Sequence, residues 1–140
     1  MTLDGLPRVL VADDHPPLLE RVVRTLATHF SVVATVNDGT QVLAAEAEYR
    51  PDVLVMDLCM PGMSGLEATA ALRRHGSGVP VVCLTAYEDR EMIEAALEAG
   101  ALGYVTKTCL ATDLIPAVRA ALEGRRYVST PFVPSAPAAR

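Results

Sequence analysis

The sequence predicts an α/β fold: an open, doubly wound parallel sheet with helices on both faces. Short apolar runs alternate with longer helical patterns five times along the 140 residues. Three of those runs are continuously apolar and rich in valine, as strands covered on both faces must be. The segments between them repeat apolar residues at the three- and four-residue spacing of a helix. Alternating units of this length favour parallel strands joined by right-handed crossovers, which place helices on both sides of the sheet.

The strand runs are Val9-Leu10-Val11-Ala12, Val32-Val33-Ala34-Thr35-Val36, Val53-Leu54-Val55-Met56, Val81-Val82-Cys83-Leu84 and Leu102-Gly103-Tyr104-Val105-Thr106. The first helix carries Leu18, Leu19, Val22, Val23 and Leu26 on one face, and the fourth carries Met92, Ile93, Ala96 and Leu97. Ser64-Gly65-Leu66-Glu67 is a capping box that opens the third helix. Gly76, Gly100 and Gly124 each follow a helical pattern, where a left-handed cap is useful. Three prolines, Pro131, Pro134 and Pro137, mark 129–140 as an extended linker or tail.

Composition narrows the function classes. At 51% hydrophobic residues without tryptophan, the core must be built from Val, Leu, Ala and Ile. Seventeen acidic residues against 12 basic ones give a net charge of −5. No basic cluster exceeds Arg73-Arg74 or Arg125-Arg126, so this chain alone is a poor nucleic-acid binder. Cys59, Cys83 and Cys109 are odd in number and share no metal-ligand spacing, so they read as reduced thiols of a cytoplasmic protein. No apolar stretch approaches the ~20 residues of a membrane span, and no secretory signal opens the chain. The expectation is a soluble intracellular domain with no membrane partner.

In open α/β sheets, ligands bind beyond the carboxyl ends of the strands. Strand one ends in Asp13-Asp14, strand three in Asp57, strand four in Thr85 and strand five in Lys107. Strand two ends in Asn37-Asp38-Gly39, a turn without obvious chemistry, and belongs at the sheet edge. Lys107 is the only lysine in a chain with 12 basic residues, and a compact point charge differs in kind from the arginine fork. Alone, each residue has an ordinary structural explanation: an Asp pair caps a helix, and a threonine terminates a strand. Together they place three carboxylates, one hydroxyl and one ammonium on one edge. Crowded carboxylates disfavour one another's ionised forms. A hard cation such as Mg²⁺ relieves that repulsion, and one carboxylate can then act as a nucleophile toward a phosphoryl group.

These motifs resemble the receiver domain of two-component response regulators. The residues carrying the resemblance are Val11-Ala12-Asp13-Asp14-His15-Pro16, the run from Met56-Asp57-Leu58-Cys59 through Met63-Ser64-Gly65, Leu84-Thr85-Ala86, and Gly103-Tyr104-Val105-Thr106-Lys107. The family fold is CheY-like, with strand order 2-1-3-4-5. The resemblance implies a flexible N-terminus at 1–6, a receiver domain over 7–128 and a linker over 129–140. Asp-Asp-His-Pro and Gly124-Arg125-Arg126-Tyr127-Val128-Ser129 are similar to the NarL/FixJ class, whose receivers precede a LuxR-type helix-turn-helix.

By that resemblance, Asp57 is the phosphoacceptor for a sensor histidine kinase. Asp14 and Asp57 ligate Mg²⁺ with the Cys59 backbone carbonyl, and Asp13 acts through water. Thr85 and Lys107 hold the phosphoryl group, and Tyr104 is the aromatic switch reporting to the face of helix four, strand five and helix five. Phosphorylation-linked homodimers are part of the family expectation. Cys59 and Tyr87 flank the attacking water's route and would tune dephosphorylation; a solvent-facing loop residue is the alternative for Tyr87. Pro116 departs from the family, whose fifth helix begins near Leu110 or Ala111. A proline there removes a donor and crowds the preceding turn. Helix five should therefore start late, with Thr112 or Asp113 as its cap, or have a distorted first turn.

Other classes fit less well. A stand-alone receiver acting by protein contact shares every motif. A Mg²⁺-dependent phosphohydrolase using Asp57 would want an acid two residues on, where Cys59 stands. A P-loop is missing, and Asp13-Asp14 would repel a flavin phosphate.

Overall fold

The structure, a computed structural model, describes residues 5–86 and 90–129. Its elements in chain order are β1 (Arg8–Ala12), α1 (Pro16–Ala27), β2 (Ser31–Val36), α2 (Val42–Tyr49), β3 (Val53–Asp57), α3 (Gly65–Arg74), β4 (Val81–Thr85), α4 (Arg90–Glu98), β5 (Gly103–Thr106), α5 (Leu110–Leu122) and β6 (Tyr127–Val128). Single 3-10 turns, Gly39–Gln41 and Lys107–Cys109, lead into α2 and α5. The strands lie in the order β2-β1-β3-β4-β5-β6, and every neighbouring pair is parallel. The expected 2-1-3-4-5 order is present, with β2 at the edge.

The five-stranded expectation needs one correction: the sheet has a sixth strand. Tyr127 and Val128 pair with Gly103 and Tyr104 of β5. A two-residue strand carries no periodicity for a sequence reading to detect. Ser129, grouped above with the tail, continues this pairing: its amide donates to the Tyr104 carbonyl at 2.9 Å, and the residue is buried.

Strand alternation divides the core into two layers. Leu10, Leu54, Met56, Cys83 and Tyr104 face α2, α3 and α4, where Val42, Leu72 and Ile93 meet them. Val11, Val55, Val82, Leu84 and Val105 face α1 and α5, packing on Val22, Leu26, Leu114 and Val118. Every residue of β3 and β4 is buried, which accounts for their continuous apolar runs. Each of their buried Val, Leu and Met side chains contributes roughly 1.5–3 kcal/mol of transfer free energy.

Local chemistry sets the chain path near the carboxyl edge. His15 precedes a proline at the first helical position, and its amide donates to Asp13 Oδ1 at 2.8 Å. The first acidic residue thereby shapes the entry to α1. The capping box at α3 forms as expected: Ser64 Oγ accepts from the Glu67 amide at 3.1 Å, and Glu67 Oε1 accepts from the Ser64 amide at 2.9 Å. Gly65 lies hard against the end of β3. A Cβ there would stand 2.6 Å from the Asp57 carbonyl oxygen and 2.8 Å from Leu58 Cα.

Pro116 does not delay helix five. The helix begins at Leu110 and runs through the proline, and the tight turn lies before it at Lys107–Cys109. Proline forfeits one backbone bond, but its ring is exposed while Leu110, Leu114, Ala117 and Val118 are buried. Tertiary packing on either side of the defect outweighs the local cost. Thr112 is not the cap either; its hydroxyl donates back to the Cys109 carbonyl at 3.2 Å.

Two substitutions should move stability in opposite directions. Gly65→Ala forces a methyl into backbone and should lower the unfolding free energy by about 1–3 kcal/mol. Pro116→Ala restores a donor and relieves crowding, and should raise it by up to ~3 kcal/mol. Urea midpoints of the two variants beside wild type check both signs.

Candidate functional site

The strand ends converge as the sequence predicted. One carboxylate oxygen from each of Asp13, Asp14 and Asp57 lies within 4.8 Å of the other two. Asp13 and Asp57 are buried at the ends of β1 and β3, whereas Asp14 is exposed beside them. Lys107 Nζ donates to Asp57 Oδ2 at 3.1 Å. On the other oxygen, the Cys59 amide donates to Asp57 Oδ1 at 3.1 Å. Asp57 is thus held by one ammonium and one backbone amide, with its flank open. Asp14, His15, Asp57, Cys59, Ala86 and Lys107 line a pocket of about 270 Å³ over this group.

Electrostatics leave the site strained when it holds only protein groups. Asp13 has its carboxyl pKa raised above the ordinary value, first by burial and further by the charges of Asp57 and Asp14. The His15 amide and Lys107 oppose that shift without cancelling it. Asp13 Oδ2 is buried and lacks any hydrogen-bond partner. Buried polar atoms are rarely left in that state. An oxygen-rich set with an orphaned carboxylate oxygen fits a hard divalent cation.

Thr85 is buried at the end of β4, directly across from Thr106 of β5. Tyr104 is fully buried and packs inward on the α4 side of the sheet. Tyr87 lies outside the described residues. Cys83 is buried in the core, and burial together with the Asp57 charge pushes its thiol pKa up to about 12.

Sequence reasoning assigned no chemistry to Asn37-Asp38-Gly39, yet this turn braces the loop after β3. Asp38 Oδ1 accepts from the Thr40 hydroxyl and amide, both at 2.7 Å, and these bonds pull its carboxyl pKa below the ordinary value. The Gly39 amide donates to the Pro61 carbonyl at 3.2 Å, and a Cβ on Gly39 would strike the Met63 carbonyl. Glycine spacing alone could have flagged this contact only as a turn. Ser129, buried beside Thr106, was missed as well; it ends a run that resembles the NarL/FixJ class, but nothing in that run points to its partner.

An open α/β sheet with an acidic triad, an opposing lysine and a strand-end threonine at its carboxyl edge defines a phosphoacceptor signalling domain. Comparison with known proteins agrees: the response regulator receiver domain family matches residues 9–119. The chain belongs to this family, and it is a receiver domain of phosphorylation-dependent two-component signalling. It is 39% identical over 124 residues to the response regulator GacA of Pseudomonas viridiflava, covering 87% of this chain and 58% of that protein. It is 42% identical over 115 residues to the DNA-binding response regulator MtrA of Mycolicibacterium smegmatis, covering 82% and 50%. The chain therefore spans little more than half the length of these relatives.

Among solved structures, a LuxR-family two-component response regulator from Aurantimonas sp. SI85-9A1 superposes with a TM-score of 0.86 at 34% identity, covering 90% of this chain and 91% of that one. The signal receiver domain of the putative response regulator NarL from Mycobacterium tuberculosis gives 0.81 at 34% identity, covering 86% and 98%. No helix among the described residues is long and apolar enough to cross a membrane.

The cysteines offer a direct check on site packing. The thiolate is the reactive species, so at pH 8 a thiol with its pKa near 12 stays protonated. Iodoacetamide should label exposed Cys59 and half-buried Cys109 in the native protein, and Cys83 only after unfolding. Peptide mass mapping before and after urea reads this out.

Proposed function

We propose that this chain is the input switch of a longer transcription regulator of the NarL/FixJ class. In this reading a sensor histidine kinase phosphorylates Asp57, and the receiver over residues 7–128 controls a LuxR-type helix-turn-helix domain beyond the 129–140 linker. DNA is contacted only through that second domain. The observation carrying the reading is the orphaned, buried Asp13 oxygen inside a carboxylate triad whose acceptor is also gripped by the chain's one lysine.

Asp57 attacks phosphorus through a carboxylate oxygen, and the phosphorus–nitrogen bond of the kinase phosphohistidine breaks. The imidazole leaves with the bonding pair and takes a proton. The carboxylates of Asp13, Asp14 and Asp57, with the Cys59 backbone carbonyl, would hold Mg²⁺. When bound, Mg²⁺ neutralises carboxylate and phosphoryl charge. Lys107 moves from pairing Asp57 to pairing a phosphoryl oxygen, and Thr85 donates to another. Tyr104 responds on the α4 side, altering the α4, β5 and α5 surface through which homodimerisation and effector control run. That is a local charge event biasing a two-state element. Cys59, beside Asp57, tunes the lifetime of the acyl phosphate, and Tyr87, two residues after Thr85 in the sequence, is assigned the same role from its position in the chain.

Acetyl phosphate and Mg²⁺ should add one phosphoryl mass to the wild-type chain and none to Asp57→Asn. Removal of Mg²⁺ by EDTA should abolish the adduct. Lys107→Ala should slow its formation at least about tenfold, the scale for losing one charge-stabilising group. Absence of the wild-type adduct would sink the reading, and sustained phosphate release at high turnover would replace it with a hydrolase. Mg²⁺ should also raise the melting temperature of wild type but not of Asp13→Asn, as expected if metal binds the folded triad.

A further inference from the structure

Ser129, the residue after β6, reaches back to the strand end that carries Lys107. Where the backbone of β6 stops pairing, the Ser129 side chain takes over. Its amide donates to the Tyr104 carbonyl at 2.9 Å, while its Oγ accepts from the Thr106 amide at 2.9 Å and lies 3.4 Å from Thr106 Oγ1. Ser129 and Thr106 are both nearly fully buried, at 1% and 2% exposure. A buried amide left without a partner costs about 1–3 kcal/mol, so this hydroxyl completes the ladder one rung beyond the last strand residue. β6 itself is anchored through its backbone: the Tyr127 amide donates to the Leu102 carbonyl at 3.0 Å.

The next residue after Thr106 is Lys107, whose Nζ stands 3.1 Å from Asp57 Oδ2. Thr106 also sits opposite Thr85 in the β4–β5 register. One serine, 23 positions downstream of Thr106, therefore fixes the backbone from which the lysine projects and the strand beside the threonine. We propose that Ser129 is a positioning residue for Lys107, aiming its ammonium at Asp57. Its contribution to phosphoryl transfer rests on the function proposed above; its hold on the lysine does not. Loss of the clasp lets the end of β5 shift and the lysine wander, without removing any group that touches the phosphoryl.

Because Lys107 is the only lysine, protein labelled with ¹³C-lysine gives a single side-chain Cε signal. Asp57→Asn marks the position of that signal when the pair is broken. Ser129→Ala should move the signal toward that mark and slow phosphorylation by acetyl phosphate roughly two- to thirtyfold, the range for residues coupled to a site through another group. Ser129→Thr, which keeps the hydroxyl, should restore both. A folded Ser129→Ala with the lysine signal at its wild-type position overturns the proposal, even if its melting temperature falls, because the serine would then be structural only. If the alanine variant does not fold, Ser129→Cys, of similar size with only a weak acceptor, is read in the same way. A wild-type chain that takes no phosphoryl group would refute the Asp57 reading alone, since the lysine signal is measured without phosphorylation and still decides the serine's role.

Discussion

Three carboxylates whose oxygens share a 4.8 Å neighbourhood repel, and much of this chain is arranged to keep them there. The sheet supplies the rigid part: Asp13 and Asp57 extend β1 and β3, which run side by side in register. The loops supply the rest. Gly65 lets α3 press on the backbone of Asp57 and Leu58, and the Asp38-Gly39 turn buttresses Pro61 and Met63. Lys107 is the one cation paired with the triad among the described residues. Its side chain is 26% exposed while that of Asp57 is 3% exposed, so the pair is half solvated and open to exchange. A fully buried pair would be costly to break. Here the lysine can change partners at modest cost, as a switch requires.

Much of this was legible in the chain because burial and chemistry left separate marks. Valine-rich runs identified β1, β3 and β4 because parallel strands are covered on both faces, and the acidic and basic residues terminated those runs rather than interrupting them. Ser64 and Glu67 announced the start of α3 because a capping box is local chemistry and needs no tertiary context. What stayed hidden depends on distant partners. Tyr127 and Val128 become a strand only because β5 offers an edge, and Ser129 matters only because Thr106 lies beside it. Pro116 was misjudged for the converse reason: local propensity argued for a late helix, and the buried faces of Leu114 and Ala117 overrode it.

The two faces of the sheet divide the labour. The layer of α1 and α5 packs Val11, Val55 and Val105, each two residues before an acidic or basic strand end, and so backs the site directly. The opposite layer holds Tyr104 among apolar residues that include Cys83 and Ile93 of β4 and α4. Charge at the edge and aromatic packing beneath it meet in β4 and β5, where Thr85 faces Thr106. A change in charge at Asp57 therefore has a short route into packing, without crossing the centre of the sheet.

The strand order carries a consequence for biosynthesis. From β3 onward the sheet grows in a single direction, each newly made strand adding to the outer edge of the previous one. A nascent chain can consequently build its sheet in the order of translation, with no strand inserted between two already paired. Until residues 127–129 emerge, however, β5 is an open edge with unpaired amides, the feature that invites association between chains. Closing that edge falls to a strand of two residues and one serine hydroxyl, so a chain halted between β5 and Ser129 keeps its edge amides unpaired.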